Sequence, residues 1–243
     1  MAVTFKQLLN RALRITGEAE IAATTTVISD VNHLLIAEMA NQIKEEVEAA
    51  HNWRALRHAV TSSITIPEPG GANGTATVTG GKETSRVVRI QDPLRGQEVA
   101  LAFDVTDSSN PSRLQELDLA DLLYRREMDP TSTSDPRFFA LDNTSGDALT
   151  LYVYPTPAST KSVRIYLVTP QDRLDAAVEA DLATTVKVPV RPIEMGLIRY
   201  ILEERGEELG INSQFSEAKE AKALRDAVSL DAAEQGDYNL VPE

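Results

Sequence analysis

The hydrophobic period of this chain changes twice, and that change limits the fold more than any other feature. Up to about residue 58 apolar side chains recur every three or four residues. From Val60 to Pro189 they alternate, or cluster in β-branched runs between frequent turns. Beyond Pro189 helical spacing returns. A stripe spaced for a helix is scattered over both faces of a strand, so each segment can bury its apolar side chains in only one kind of element. The chain therefore reads as two helical ends around a β-rich middle.

At the N-terminus, Thr4 and Gln7 form a capping-box pattern, Phe5, Leu8, Leu9, Ala12 and Leu13 share a helix face, and Gly17 ends the helix. A Thr-rich stretch, 22–26, leads to a longer helix capped by Asp30. Its expected apolar face is Leu35, Met39, Ile43, Val47 and Ala50, with Glu38, Lys44, Glu45, Glu46 and Glu48 largely elsewhere on the wheel. This helix is expected to run to about Trp53 or Leu56. Strands are expected at 61–66, 75–79, 84–91, 97–105, 138–141, 148–154 and 162–168, with one short helix at 117–127. The second and third strands meet across Gly80-Gly81, which reads as a hairpin turn. Such spacing fits an antiparallel sandwich or barrel, not alternating βαβ units.

After Pro189, Pro192 suits a first helical turn, Ile193, Leu197, Tyr200 and Ile201 form a face, and Gly206 or Gly210 stops the helix. Ser213 caps a last helix with Phe215, Ala218, Ala221, Leu224 and Val228 along one side. Residues 231–243 have no period and read as an extended tail, with Tyr238, Leu240 and Val241 as apolar anchors for a groove on a neighbour. Neither helical pair has much area to bury alone. The predicted fold is α+β: a discontinuous helical bundle from 1–58 and 190–235, an inserted antiparallel β-rich domain over 59–189, and an extended C-terminal tail, 236–243. Trp53, the only tryptophan, stands with Leu56 where the helical pattern ends, and is expected to anchor the joint between the two domains.

Charge and chemistry narrow the function. The 243 residues carry 37 acidic and 24 basic side chains, a formal charge of −13, which opposes general binding to nucleic acid or anionic membrane. The chain has no cysteine, which removes disulfides, thiolate catalysis and Cys-type zinc sites. The first 17 residues carry no secretion-signal pattern, and no apolar run is long enough to span a membrane. His33, His51 and His58 lack the i, i+4 spacing of a helical zinc site. Gly80-Gly81-Lys82 fails as a phosphate loop because Ala76 and Glu83 occupy two required positions. The paired carboxylates, such as Asp118 with Asp121 and Glu203 with Glu204, sit in polar surroundings that do not separate two pKa values. Phe138-Phe139 with Tyr152 and Tyr154 could form a stacking platform, but a core or subunit-interface patch fits better, because no basic cluster interleaves. No catalytic residue, cofactor or metal ligand is assigned.

Several short motifs and their order resemble phage head-to-tail adaptor proteins, the family that includes the tail tubular protein A type of short-tailed phages. A long N-terminal helix ends in Asn52-Trp53-Arg54-Ala55-Leu56, followed by a strand with Ser62, Ile64 and Ile66. Pro136-Arg137-Phe138-Phe139 precedes a strand, and 151–158 resembles the family's Leu-x-x-x-Pro-x-Pro signature. Tyr166 to Pro170 and Val188-Pro189 follow in order. Arg54 stands where related chains often have proline.

The resemblance implies a virion protein made in the host cytoplasm and placed at the head-tail junction. It implies a homo-oligomeric ring, usually of twelve copies, between the portal and a tail nozzle or tube. Such a ring extends the DNA channel, helps retain the genome and recruits tail components, while DNA passes through the lumen without specific binding. On this reading Phe215, Leu224, Val228, Tyr238, Leu240 and Val241 contact the portal. The rival classes are a carbohydrate-binding β-module, which has no need of four flanking helices, and a hydrolase, which requires a pocket with a perturbed carboxylate or histidine.

Overall fold

The computed structural model describes residues 2–64, 74–78, 81–82, 84–91, 97–129, 132–142, 149–204 and 211–236. The chain divides into two compact units, Met1–Ala55 with Gln171–Glu243, and Leu56–Pro170. The first is helical and discontinuous in sequence, and the second is β-rich. The protein is α+β, with six α-helices and mostly antiparallel sheets among the described residues.

In the helical unit, α1 (Phe5–Thr16) opens on the expected reciprocal cap. The Thr4 hydroxyl accepts the N–H of Gln7, and the Gln7 side chain accepts the N–H of Thr4. Gly17 closes the helix at φ 74°, a left-handed conformation that disfavours a Cβ. All five apolar residues predicted for its face are buried.

The next helix, α2 (Val31–Ala50), starts on Asp30, whose carboxylate accepts the N–H of His33. It stops before Trp53, and a 3-10 turn, Arg54–Leu56, follows. Its buried stripe differs from the expected one. Leu35 is 47% exposed and Ala50 is exposed, whereas Ile36, Ala37, Ala40, Ile43 and Val47 are buried together with Asn41, Lys44 and Glu48. These polar groups can be buried because the chain at 171–174 bonds to them.

Later in this unit come α4 (Glu179–Ala183), α5 (Val190–Glu204) and α6 (Ile211–Gly236). Helix α5 packs on α1, α2 and α6. Ile193, Leu197 and Ile201 on it are buried as predicted, and Tyr200 is half-buried. Gly196 permits the close approach, since a Cβ there would lie 2.7 Å from Oε1 of Glu220 and 3.1 Å from Ile43.

Helix α6 departs from its expectation twice. It runs on through 231–236, where an extended tail was predicted, because Asp231 is held by groups at the end of α2. Its inward seam is also rotated. Ala218 and Ala221 are exposed, Ala223 is buried, and Glu220, Leu224, Ala227, Val228 and Asp231 are partly buried. Glu220 turns inward because Arg199 of α5 pairs with it at 3.1 Å.

The predicted change of domain at Pro189 falls instead at Pro170. Residues 171–189 pack with the helices: Phe5 donates its N–H to the Thr184 carbonyl, and Val186 donates to that of Val3. This segment has little helical period; its buried Leu174, Ala176, Leu182, Val186 and Val188 hold it there together with these hydrogen bonds.

The second unit holds β1 (Arg57–Ile64), β2 (Thr75–Val78), β3 (Arg86–Val87), β4 (Arg89–Gln91), β5 (Glu98–Ala100), β6 (Ala102–Asp104), β7 (Ser112–Arg113), β8 (Gln115–Glu116), α3 (Leu119–Met128), β9 (Phe138–Asp142), β10 (Leu149–Tyr154) and β11 (Lys161–Val168). One sheet has the order β1-β11-β6-β7, with β3 also paired to β11; a second runs β2-β10-β9-β8; β4 and β5 form a ribbon. Every pair is antiparallel except β8 with β9. Val60, Ile64, Val163 and Ile165 of the first sheet and Val78, Phe139, Leu151 and Val153 of the second share one apolar cluster. The expected hairpin falls partly on Gly80, outside the described residues; among those described, β2 and β3 belong to different sheets. Gly81 does make a turn, donating its N–H to the Val78 carbonyl. A Cβ at Gly81 would lie 3.0 Å from Leu149.

Candidate functional site

A polar ladder on the buried face of α2 is the most concentrated chemistry in the helical unit. The Asn41 amide donates to the Leu174 carbonyl at 2.9 Å and accepts the Leu174 N–H at 3.0 Å, as a neighbouring β-strand would. One helical turn on, the Lys44 ammonium donates to the carbonyls of Gln171 and Asp172 at 3.0 and 3.1 Å. It also pairs with Glu48 at 3.3 Å, and both side chains are 1% exposed. Burial raises the Glu48 carboxyl above the ordinary glutamate range, opposed by the Lys44 ammonium and a hydrogen bond to the Gln171 backbone. The ladder fixes an irregular segment against a helix. The i, i+4 spacing of Lys44 and Glu48 is visible in the sequence, but it reads there as a solvated pair.

The end of α2 forms a second cluster. Trp53 is 1% exposed, its indole N–H donates to the Val47 carbonyl at 2.6 Å, and its ring meets the edge of His51 at 4.8 Å between centroids. His51 bonds to Asp231 of α6 at 2.9 Å, and the same carboxylate oxygen accepts the Arg54 N–H at 3.4 Å. Thus the described partners of Trp53 belong to the helical unit. Leu56 is buried, and its carbonyl accepts the N–H of Thr169 within the β-rich unit. Trp53, Asp231, Arg11 and Val188 are among the residues lining a cavity of about 570 Å³ in the helical unit.

The remaining histidines have other surroundings in their own units. Nε2 of His33 lies 3.1 Å from the Ala19 carbonyl, and His58 is on β1. No group of three metal-ligating side chains is assembled among the described residues. No helix among them is long and apolar enough to cross a membrane.

Tyr152 and Tyr154 share one face of β10, as their spacing predicts, with Phe138 paired to Tyr154 across β9. Phe139 points to the other side, into the core. Helix α3 packs on β9 and β10, and the Arg125 guanidinium sits over the Phe138 ring at 4.8 Å. Arg126 of the same helix is partly buried, which lowers its pKa against the attraction of Tyr152. Basic side chains therefore do interleave with these aromatics, from a helix docked on the strands rather than from a neighbouring strand.

Of the residues expected to meet a portal, Leu224 and Val228 are half-buried on the α6 seam. Phe215 lies within α6, and nothing is described of its side chain; Tyr238, Leu240 and Val241 lie outside the described residues. Between α5 and α6 runs a groove of about 520 Å³ that sequence reasoning did not find. Its lining is Arg191, Met195, Lys219, Lys222, Ala223 and Asp226. Arg191 and Met195 come from one helix and the other four from the next, and nothing in the sequence indicates that the two turns face each other. No protein-family model matches the chain, and no curated protein is significantly similar to it.

Proposed function

We propose that this protein is a structural head-to-tail adaptor of a tailed phage and not an enzyme. Copies assemble into a ring, of about twelve by analogy with the resembled family, between the portal and a tail nozzle or tube. The ring extends the DNA channel, helps retain the genome and recruits tail components, at the head-tail junction of the virion. The observation that carries the reading is the order of motifs from Asn52 to Pro189, with a long last helix that is mostly exposed over 217–233 to meet partners. Among residues 217–233 of α6 only Ala223 is buried, and Leu230 is 67% exposed. A helix so sparsely buried in its own chain is stable and useful when something else covers it.

On this reading α6 meets the portal through Phe215, Leu224 and Val228, and Tyr238, Leu240 and Val241 anchor the following segment on a neighbour. Trp53 and Leu56 flank the passage of the chain from one unit to the other, and we assign them the anchoring of that joint. The helical bundle formed from both chain ends is the part of the fold that builds the ring. Against the carbohydrate-module reading, α3 packs on β9 and β10, with Arg125 over the Phe138 ring. Mixing purified protein with portal-bearing, tail-less heads tests the proposal: co-sedimentation with intact heads, lost on removal of the portal, is expected. Equal recovery with and without portal would contradict it.

A further inference from the structure

The α5–α6 groove gathers three cations, Arg191, Lys219 and Lys222, on a chain whose formal charge is −13. Its floor includes the buried Ala223 and the half-buried Met195, and one carboxylate, Asp226, stands at its wall. Phosphodiester backbone is a poor occupant, because it carries a charge at every step and offers no apolar group to Met195 and Ala223. An acidic peptide with apolar side chains matches both features: carboxylates for the cations, and aliphatic or aromatic groups for the floor.

This chain carries such a segment. Residues 237–243 read Asp-Tyr-Asn-Leu-Val-Pro-Glu, with Asp237 and Glu243 outside three apolar side chains. The segment cannot fill the groove of its own copy. Ala223 lies thirteen positions before Gly236 on α6, about 20 Å along the axis. Reversing direction takes about four residues, and the three that remain span about 10 Å.

We propose that the groove between α5 and α6 takes segment 237–243 of a second copy of this chain. Asp237 and Glu243 pair with Lys219, Lys222 or Arg191, and Leu240 and Val241 rest on Met195 and Ala223. The inference rests only on the self-assembly part of the proposed function. It assigns the segment to the next copy in the assembly and leaves the portal to α6.

The test uses the full chain, half of it labelled with nitrogen-15, mixed under assembling conditions and treated with a carbodiimide. Zero-length links from Lys219 or Lys222 to Asp237 or Glu243 are expected between labelled and unlabelled copies. K219E with K222E should weaken self-association about tenfold by sedimentation, and adding D237K with E243K should restore it. K219S with K222S should weaken it less, with an unchanged circular dichroism spectrum. Links confined to single copies, links to the portal alone in mixtures with heads, or self-association indifferent to these charges would overturn the proposal. A ring that persists without 237–243 would remove the exchanged segment and leave the adaptor reading standing. Exchanged links without any ring would do the reverse.

Discussion

Trp53 is held on every polar and aromatic side within the helical unit: its N–H reaches the Val47 carbonyl, and its ring meets His51. Trp53→Ala should cost about 3–5 kcal/mol through the cavity it leaves, read as a fall in the denaturant midpoint at constant slope; an unchanged midpoint would sink its role as an anchor. The sequence made this residue conspicuous by its solitude. Lys44 and Glu48 were not, because a buried charge pair and an exposed one look alike at i, i+4 spacing. What decides between them is a carbonyl-rich segment more than 120 residues away. Lys44→Met leaves Glu48 buried without its counter-charge and should destabilise by about 3–5 kcal/mol. The pH dependence follows from the raised Glu48 pKa. The folded state binds that proton more tightly than the unfolded chain, so this contribution is full below the ordinary value of 4.5 and is lost as pH rises through the raised folded value. The stability difference between wild type and Glu48→Gln should therefore shrink or reverse between acid and neutral pH. A difference that stays constant across that range would contradict the burial of an ionisable Glu48.

Among the elements, α1 and α5 were legible from their stripes because nearly everything they bury is apolar. The faces of α2 and α6 were misplaced by part of a turn, since Asn41, Lys44, Glu48 and Glu220 occupy inward positions that a hydrophobic pattern assigns to solvent. The strands were legible where they alternate, as in β10 and β11, and not where they are two residues long, as in β7 and β8. The extension of α6 through Asp231 gives two C-terminal truncations different outcomes. Removing 231–243 takes away the carboxylate that bonds His51 and the Arg54 N–H, and should cost about 1–3 kcal/mol. Removing 237–243 leaves those bonds in place and should leave the melting temperature of the dilute, unassembled chain unchanged. Equal melting temperatures for the two truncations would show that α6 needs nothing from its last turns.

At the scale of the whole molecule, the two-unit, α+β division followed from the changes of period, although its second boundary lay nineteen residues early in the chain relative to Pro189. The groove between α5 and α6 was not legible, because it depends on which turns of two helices face each other. A ring of this acidic chain should present a net negative inner wall, since phosphate paired with Lys or Arg would hinder the passage of DNA. A lumen lined mainly by Lys and Arg in an assembled particle would contradict that expectation. Electron microscopy of the purified full chain, alone and bound to portal-bearing heads, separates a ring-forming adaptor from a solitary module or an enzyme. Closed rings with a central channel, coaxial with the portal, are expected of an adaptor. Monodisperse single copies under both conditions would contradict the adaptor reading.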